Sequence, residues 1–203
     1  MDSIIFDLDG TLWDPIESVL EAWNKVIVEK NKSSITRKHL EGTMGLQMKE
    51  IGKILFPDLD EEEREQLLKD LSRQEIPHLR NHGGHIYPHV EPVLEELSKK
   101  YRLFIVSNCQ DGYIEAFYDY HGLDEHFIDF ENPGRTGLTK GENIRLIIER
   151  NDLKEPVYVG DTLGDQKAAE EAGIPFVYVS YGFGSATSYH HMIESFDDLL
   201  KVF

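Results

Sequence analysis

The chain has 203 residues, 40% of them hydrophobic, enough to bury a core as one domain or as a domain carrying an insertion. Its 38 acidic against 21 basic residues give a formal charge of −17, which argues against nucleic acid or an anionic membrane as a partner, since both reward clustered Lys and Arg. The one cysteine, Cys109, excludes an internal disulfide and fits a reducing compartment; with no signal-like leader and no apolar run long enough to span a bilayer, the chain is expected to be cytoplasmic.

The first apolar run, Ile4-Ile5-Phe6, reads as a buried strand that ends in Asp7-Leu8-Asp9-Gly10-Thr11. If the backbone stays extended, Asp7 and Asp9 point the same way, and like charges held together require a cation or a proton between them. From Pro15 the pattern turns helical, with Ile16, Leu20, Trp23 and Ile27 on one stripe. Thr36 is a candidate cap, and Gly42-Thr43-Met44-Gly45 a turn. Met48, Ile51, Ile54 and Leu55 form the next stripe, stopped by Pro57, and the acidic run from Asp60 reads as a solvated helix start leading to Leu67, Leu68 and Leu71. The segment to about His85 is therefore expected to be all-helical.

The α/β pattern resumes with a helix over Val90, Val93, Leu94 and Leu97 and a strand at Leu103–Val106 ending in Ser107-Asn108. Further expectations are a helix over 111–120, a weak strand at 127–130, a helix through Ile144, Ile147 and Ile148, a strand at Val157–Val159, a helix over 166–172, a strand at 176–179 and a last helix from Ser195. Strands alternating with helices predict a Rossmann-like parallel sheet with right-handed crossovers. In such a sheet the carboxyl ends of the strands lie on one edge, so Asp7, Asp9, Ser107, Asn108 and Asp161 converge there, and Lys140 in Gly137-Leu138-Thr139-Lys140-Gly141 is a cation that can join them.

Taken in order, Asp7-Leu8-Asp9-Gly10-Thr11, Ser107, Lys140 and Asp161 with Asp165 resemble the four motifs of the haloacid dehalogenase superfamily. The resemblance is to its phosphoglycolate phosphatase-like and β-phosphoglucomutase-like branch. It implies an α/β core over residues 1–14 and 86–203, with an inserted helical-bundle cap over 15–85. It also implies a magnesium-dependent phosphatase that hydrolyses a small phosphorylated metabolite through an aspartyl-phosphate, as a monomer or homodimer. On this resemblance Asp7 is the nucleophile and Asp9 the general acid and base. Thr11, Ser107, Asn108 and Lys140 hold phosphate, with Lys140 balancing charge on Asp7. Mg2+ is bound by Asp7, Asp161 and the backbone carbonyl of Asp9. Asp165 is an acceptor for Lys140 or for a metal water, the preferred reading, or a direct ligand. Tyr181-Gly182-Phe183-Gly184 resembles the branch's aromatic-glycine loop. The alternatives are a sugar phosphomutase and a catalytically idle phosphate sensor.

Within the insert, Gln47 and Lys49 are candidate substrate contacts, Gly42 and Gly45 points of close substrate approach. His78, His82 and His85 are expected as exposed side chains around a Gly83-Gly84 hinge rather than as a zinc site. Cys109 is expected as a small buried hydrophobe.

Overall fold

The computed structural model describes all residues, Met1–Phe203. Strand β1 (Ser3–Phe6) is followed by a loop holding the acidic pair and by the two-residue strand β2 (Trp13–Asp14). Helices α1 (Ile16–Glu29), α2 (Arg37–Glu41), α3 (Met48–Leu55) and α4 (Glu61–His82) come next, and β3 (His85–Ile86) leads back to the sheet. Then come α5 (Val90–Ser98), β4 (Arg102–Val106), α6 (Tyr113–His121), β5 (Asp129–Glu131), α7 (Pro133–Thr136) and α8 (Lys140–Arg150). The chain closes with β6 (Pro156–Gly160), α9 (Leu163–Ala172), β7 (Phe176–Val179), β8 (His191–Ile193) and α10 (Leu199–Val202).

Six strands form one all-parallel sheet in the order β5-β4-β1-β6-β7-β8, so the Rossmann-like expectation holds. Strand β1 lies at the centre because its four residues are all buried, as a strand covered on both faces requires. Alternation sends Ile4 and Phe6 to one face and Ile5 to the other, where Ile144 and Ile147 of α8 and Ala168 and Ala169 of α9 cover it. Phe6 pairs with Ile105 on one side and Val159 on the other, so Asp7, the end of β4 and the end of β6 emerge level with one another. The chain departs from β1 in both directions across the sheet, and the crevice at such a switch point is where ligands bind in open α/β folds.

Helices α1 to α4 pack on one another as expected. Leu67, Leu71 and Leu79 of α4 are buried, and each such side chain contributes about 1.5–3 kcal/mol of transfer free energy. The passages into and out of this segment are joined by an antiparallel pairing of β2 with β3, Trp13 opposite Ile86 and Asp14 opposite His85, which two-residue strands are too short to announce by periodicity. Gly84 sits where a Cβ would come within 2.8 Å of Trp13 Cε3 and 2.9 Å of Pro15 Cα, so the two passages approach as closely as they do because this residue has no side chain.

Several boundaries differ from the sequence reading. Strand β5 lies at Asp129–Glu131 rather than 127–130, paired with β4 through Phe104 and Val106. Helix α9 begins at Leu163 rather than 166 because Thr162 caps it, its hydroxyl accepting from Asp165 N. The last helix from Ser195 is instead a 3-10 turn, Phe196–Asp198, running into the short α10. His82 and His85 are exposed as expected, but His78 is half-buried, its ring stacked 4.2 Å from that of His82 within α4 and 3.3 Å from Glu21. No helix is long and apolar enough to cross a membrane.

Candidate active site

At the carboxyl edge of β1 and β6 the fold buries three carboxylates around one lysine. Asp7 is 1% exposed, Asp161 and Asp165 are fully buried, and Lys140, from the first turn of α8, is 5% exposed. Lys140 Nζ donates to Asp165 Oδ1 at 2.6 Å and lies 3.0 Å from Asp7 Oδ1, an ion-pair separation without hydrogen-bond alignment. Oxygens of Asp7, Asp161 and Asp165 all lie within 4.8 Å of one another.

The three carboxylates differ in what already holds them. Asp165 Oδ2 accepts from the Thr162 backbone N–H at 2.9 Å and its hydroxyl at 2.7 Å, so both its oxygens are engaged and it serves as helix cap and lysine anchor together. Asp161 Oδ2 accepts from the backbone N–H of Phe183 at 2.7 Å and of Gly184 at 3.3 Å, while its Oδ1 is buried with no hydrogen-bond partner. The Tyr181–Gly184 loop therefore orients Asp161 through its backbone. Gly10, at φ +80, leaves the room this needs, since a Cβ there would stand 2.3 Å from Asp161 Oδ2.

Asp9 is set apart from this cluster. It is half-buried, its Oδ1 accepting from Trp13 Nε1 at 2.7 Å and from the Tyr113 hydroxyl at 3.1 Å. Ser107 lies beside Asp7 at the end of β4, as the sheet predicts. Asn108 Nδ2 donates to the Gly45 carbonyl at 2.9 Å, so its amide bridges to the helical segment while its Oδ1 stays unpaired. Thr11 is fully buried with an unpaired hydroxyl and does not line the cleft; Tyr181 donates to its carbonyl at 2.9 Å.

Asp7, Asp9, Ser107 and Asn108 face a cavity of about 50 Å³, closed on the other side by Trp23, Leu40 and Met44. Gln47 and Lys49 line a neighbouring depression instead, and Lys49 lies 3.4 Å from Glu61. Gly45 lines this cavity and also packs on Thr162, whose Cγ2 would stand 3.0 Å from an added Cβ, whereas Gly42 does not line it.

Residues 4–179 match the model of the haloacid dehalogenase-like hydrolase family. The chain belongs to that family. Among curated relatives, the phosphoglycolate phosphatase of Vibrio parahaemolyticus is 26% identical, over 98% of this chain and 94% of that protein. That of Synechococcus elongatus is 27% identical, over 99% and 96%. Among solved structures, a haloacid dehalogenase-like hydrolase of Bacteroides fragilis superposes with a TM-score of 0.86 at 24% identity, covering 98% of this chain and all of that one (100%). CbbY of Rhodobacter sphaeroides, in complex with phosphate, superposes at 0.80 with 17% identity, covering 98% and 96%.

The electrostatics of this haloacid dehalogenase-like site follow from burial. Burial, then the Asp165 charge, raises the Asp7 pKa to about 6 against the opposing pull of Lys140 and Ser107. Asp161 is pushed well up by burial and by its two acidic neighbours. Burial alone would lower the Lys140 pKa and raise that of Asp165, but their mutual attraction outweighs it, leaving the lysine raised and Asp165 lowered. Three buried carboxylates stand against one ammonium, and the unpartnered Asp161 Oδ1 is free to take a cation between them. The donor set, carboxylate oxygens only, suits a hard divalent cation such as magnesium. Asp9 is raised to about 7, by burial first and the Asp7 charge second, with Trp13 and Tyr113 restraining the rise. Burial pushes the Cys109 thiol well up, which makes it inert, as expected of a structural cysteine.

Sequence reasoning missed Trp13 and Tyr113 as holders of Asp9, and the Phe183 and Gly184 amides as holders of Asp161. Trp13 stands four residues after Asp9 in a tight loop, a spacing that offered a signal; Tyr113 arrives from the helix after β4, and nothing local announces it.

Proposed function

We propose that this hydrolase is a magnesium-dependent phosphatase of small phosphorylated metabolites, working through an aspartyl-phosphate on Asp7. The observation that carries the proposal is the pairing of a buried carboxylate cluster fit to hold a cation, Asp7 and Asp161 with Lys140, with a separately held carboxyl, Asp9, whose pKa of about 7 suits proton transfer at neutral pH. The curated relatives named phosphoglycolate phosphatase support a phosphate ester as substrate.

Asp7 and Asp161 would hold magnesium by their side chains, joined by the Asp9 carbonyl. Bound there, it supplies the positive charge that lets an anionic carboxylate approach an anionic ester, a repulsion of about 4 kcal/mol at 4 Å and an effective dielectric of about 20. Asp7 attacks phosphorus, and Asp9 gives its proton to the departing ester oxygen. Asp9 then takes a proton from the water that hydrolyses the aspartyl-phosphate, which restores both side chains. Tyr113 and Trp13 keep Asp9 turned away from the cluster, so that its side chain remains free to carry that proton. Lys140, fixed by Asp165, offsets charge on Asp7 and the phosphoryl group, and Ser107 offers its hydroxyl to a phosphoryl oxygen. Asn108 braces the cleft through Gly45, and Thr11 steadies the acidic loop.

Residues 15–85 act as a cap hinged at the β2–β3 pairing, closing over the cavity to exclude water and to choose the leaving group. The single buried, inert thiol accords with a reducing, cytoplasmic setting. Phosphate release from a panel of phosphorylated metabolites, with magnesium or with chelator, tests the proposal. Release that requires magnesium is expected, and equal release with chelator contradicts it.

A further inference from the structure

The cavity that reaches Asp7 and Asp9 has a second end, where α4 contributes Glu75, 3% exposed, from the same stripe as Leu71 and Leu79. A carboxyl at this depth needs several hydrogen bonds, and it has one from Gln110, which donates to Oε2. Trp23, 2% exposed, lies against the same carboxyl, and its Nε1–H has no aligned acceptor. An unsaturated acceptor and an unsatisfied donor thus stand together in the wall of a small cavity.

No Lys or Arg lines that cavity, Lys140 being held by Asp7 and Asp165 and Lys49 lying outside near Glu61. The remaining wall on this side is apolar, from Val19, Leu40 and Met44. A hydroxyl serves both groups, donating to Glu75 and accepting from Trp23 Nε1. An alkyl group does neither. An ammonium donates but cannot accept from Trp23. At about 50 Å³ the cavity has room for roughly three or four waters, which limits the organic part to a few atoms.

Resting on the phosphatase reading, we propose that Glu75 and Trp23 form the leaving-group subsite, which selects a small phosphate monoester bearing a hydroxyl over one bearing an alkyl group or an ammonium.

The test is kcat/KM with magnesium for three compounds of nearly equal size: 2-hydroxyethyl phosphate, ethyl phosphate and O-phosphoethanolamine. Wild type is expected to prefer the hydroxyethyl compound over the other two by about tenfold, the worth of a hydrogen bond to a buried acid. Glu75→Leu should bring the hydroxyethyl-to-ethyl ratio close to one, and Trp23→Phe, which keeps the ring and loses the N–H, should lower it several-fold. Trp23→Phe also decides the matter if Glu75→Leu does not fold. A wild-type ratio near one, a ratio that neither variant moves, or a preference for phosphoethanolamine overturns the subsite while leaving the phosphatase standing. Absence of release from all three compounds overturns the phosphatase reading and the subsite with it.

Discussion

The two walls of the cavity are built from different materials. On the sheet side, Asp7, Asp161, Asp165 and Lys140 are buried charges, and all but Asp7 are fixed by hydrogen bonds, Asp161 by the Phe183 and Gly184 amides and Asp165 by Thr162. On the helical side the wall is apolar packing with one acid, Glu75, set into it. Groups held by backbone at strand ends cannot be exchanged without disturbing the sheet, whereas side chains on a helix face can be. On the proposed function, this contrast is a division of labour in which the sheet edge carries the reaction and the helical wall selects what is released.

The largest expected effect lies on the sheet side. Asp7→Asn removes the nucleophile with little change in shape and should lower kcat by roughly a thousandfold or more, read as phosphate release. Asp9→Asn removes only proton transfer and should cost roughly 10²- to 10⁴-fold. Its signature is in the pH profile. With the Asp9 pKa at about 7, wild-type kcat/KM for an alkyl phosphate should fall as pH rises above that value and the acid form is lost, and the fall should be absent in the variant. A helical-side substitution with an equal effect on a leaving group that needs no proton would break the division.

How much of this was legible in the sequence follows the same line. Asp7, Ser107, Lys140 and Asp161 were readable because each follows a local signal, a strand end or a helix start, and a parallel sheet brings such ends together without further information. Asp165 was readable as the partner of Lys140, and its Lys140 contact is joined by a second, to Thr162 at the start of α9. Glu75 was overlooked because an acid at the i+4 position after Leu71 and before Leu79 looks like one more charge in an acidic helix, and only packing against α1 and α6 shows that it faces inward. Tyr113 belongs to the same class, since its contact with Asp9 across 104 residues leaves no trace in spacing, whereas Trp13, four residues after Asp9, was within local reach.

The helical side offers a stability prediction of intermediate size. Burial, foremost, raises the Glu75 pKa from 4.5 to about 8, so the folded protein holds a proton that the unfolded chain gives up. Stability from this group is therefore full below about 4.5, declines as pH rises and levels off above about 8. Glu75→Gln should be more stable than wild type at pH 8, by on the order of a few kcal/mol, and the two should converge near pH 4 in urea unfolding. Equal stability at both pH values would show that Glu75 is not buried as an acid. The smallest effect is expected at Arg37, which pairs with Asp14, Glu17 and Glu41 where α2 meets the hinge. These pairs are partly exposed, so Arg37→Ala should lower stability by about 1 kcal/mol or less, measured in the same way, and should not alter kcat.

The central claim, that Asp7 carries the phosphoryl group in turnover, is most directly tested by acid-quenching the enzyme with substrate and magnesium and mapping the protein by mass spectrometry. One phosphoryl group on the peptide containing Asp7, absent with chelator and absent in Asp7→Asn, is the predicted result. A phosphoryl group on another residue, or turnover that persists in Asp7→Asn, would contradict the account.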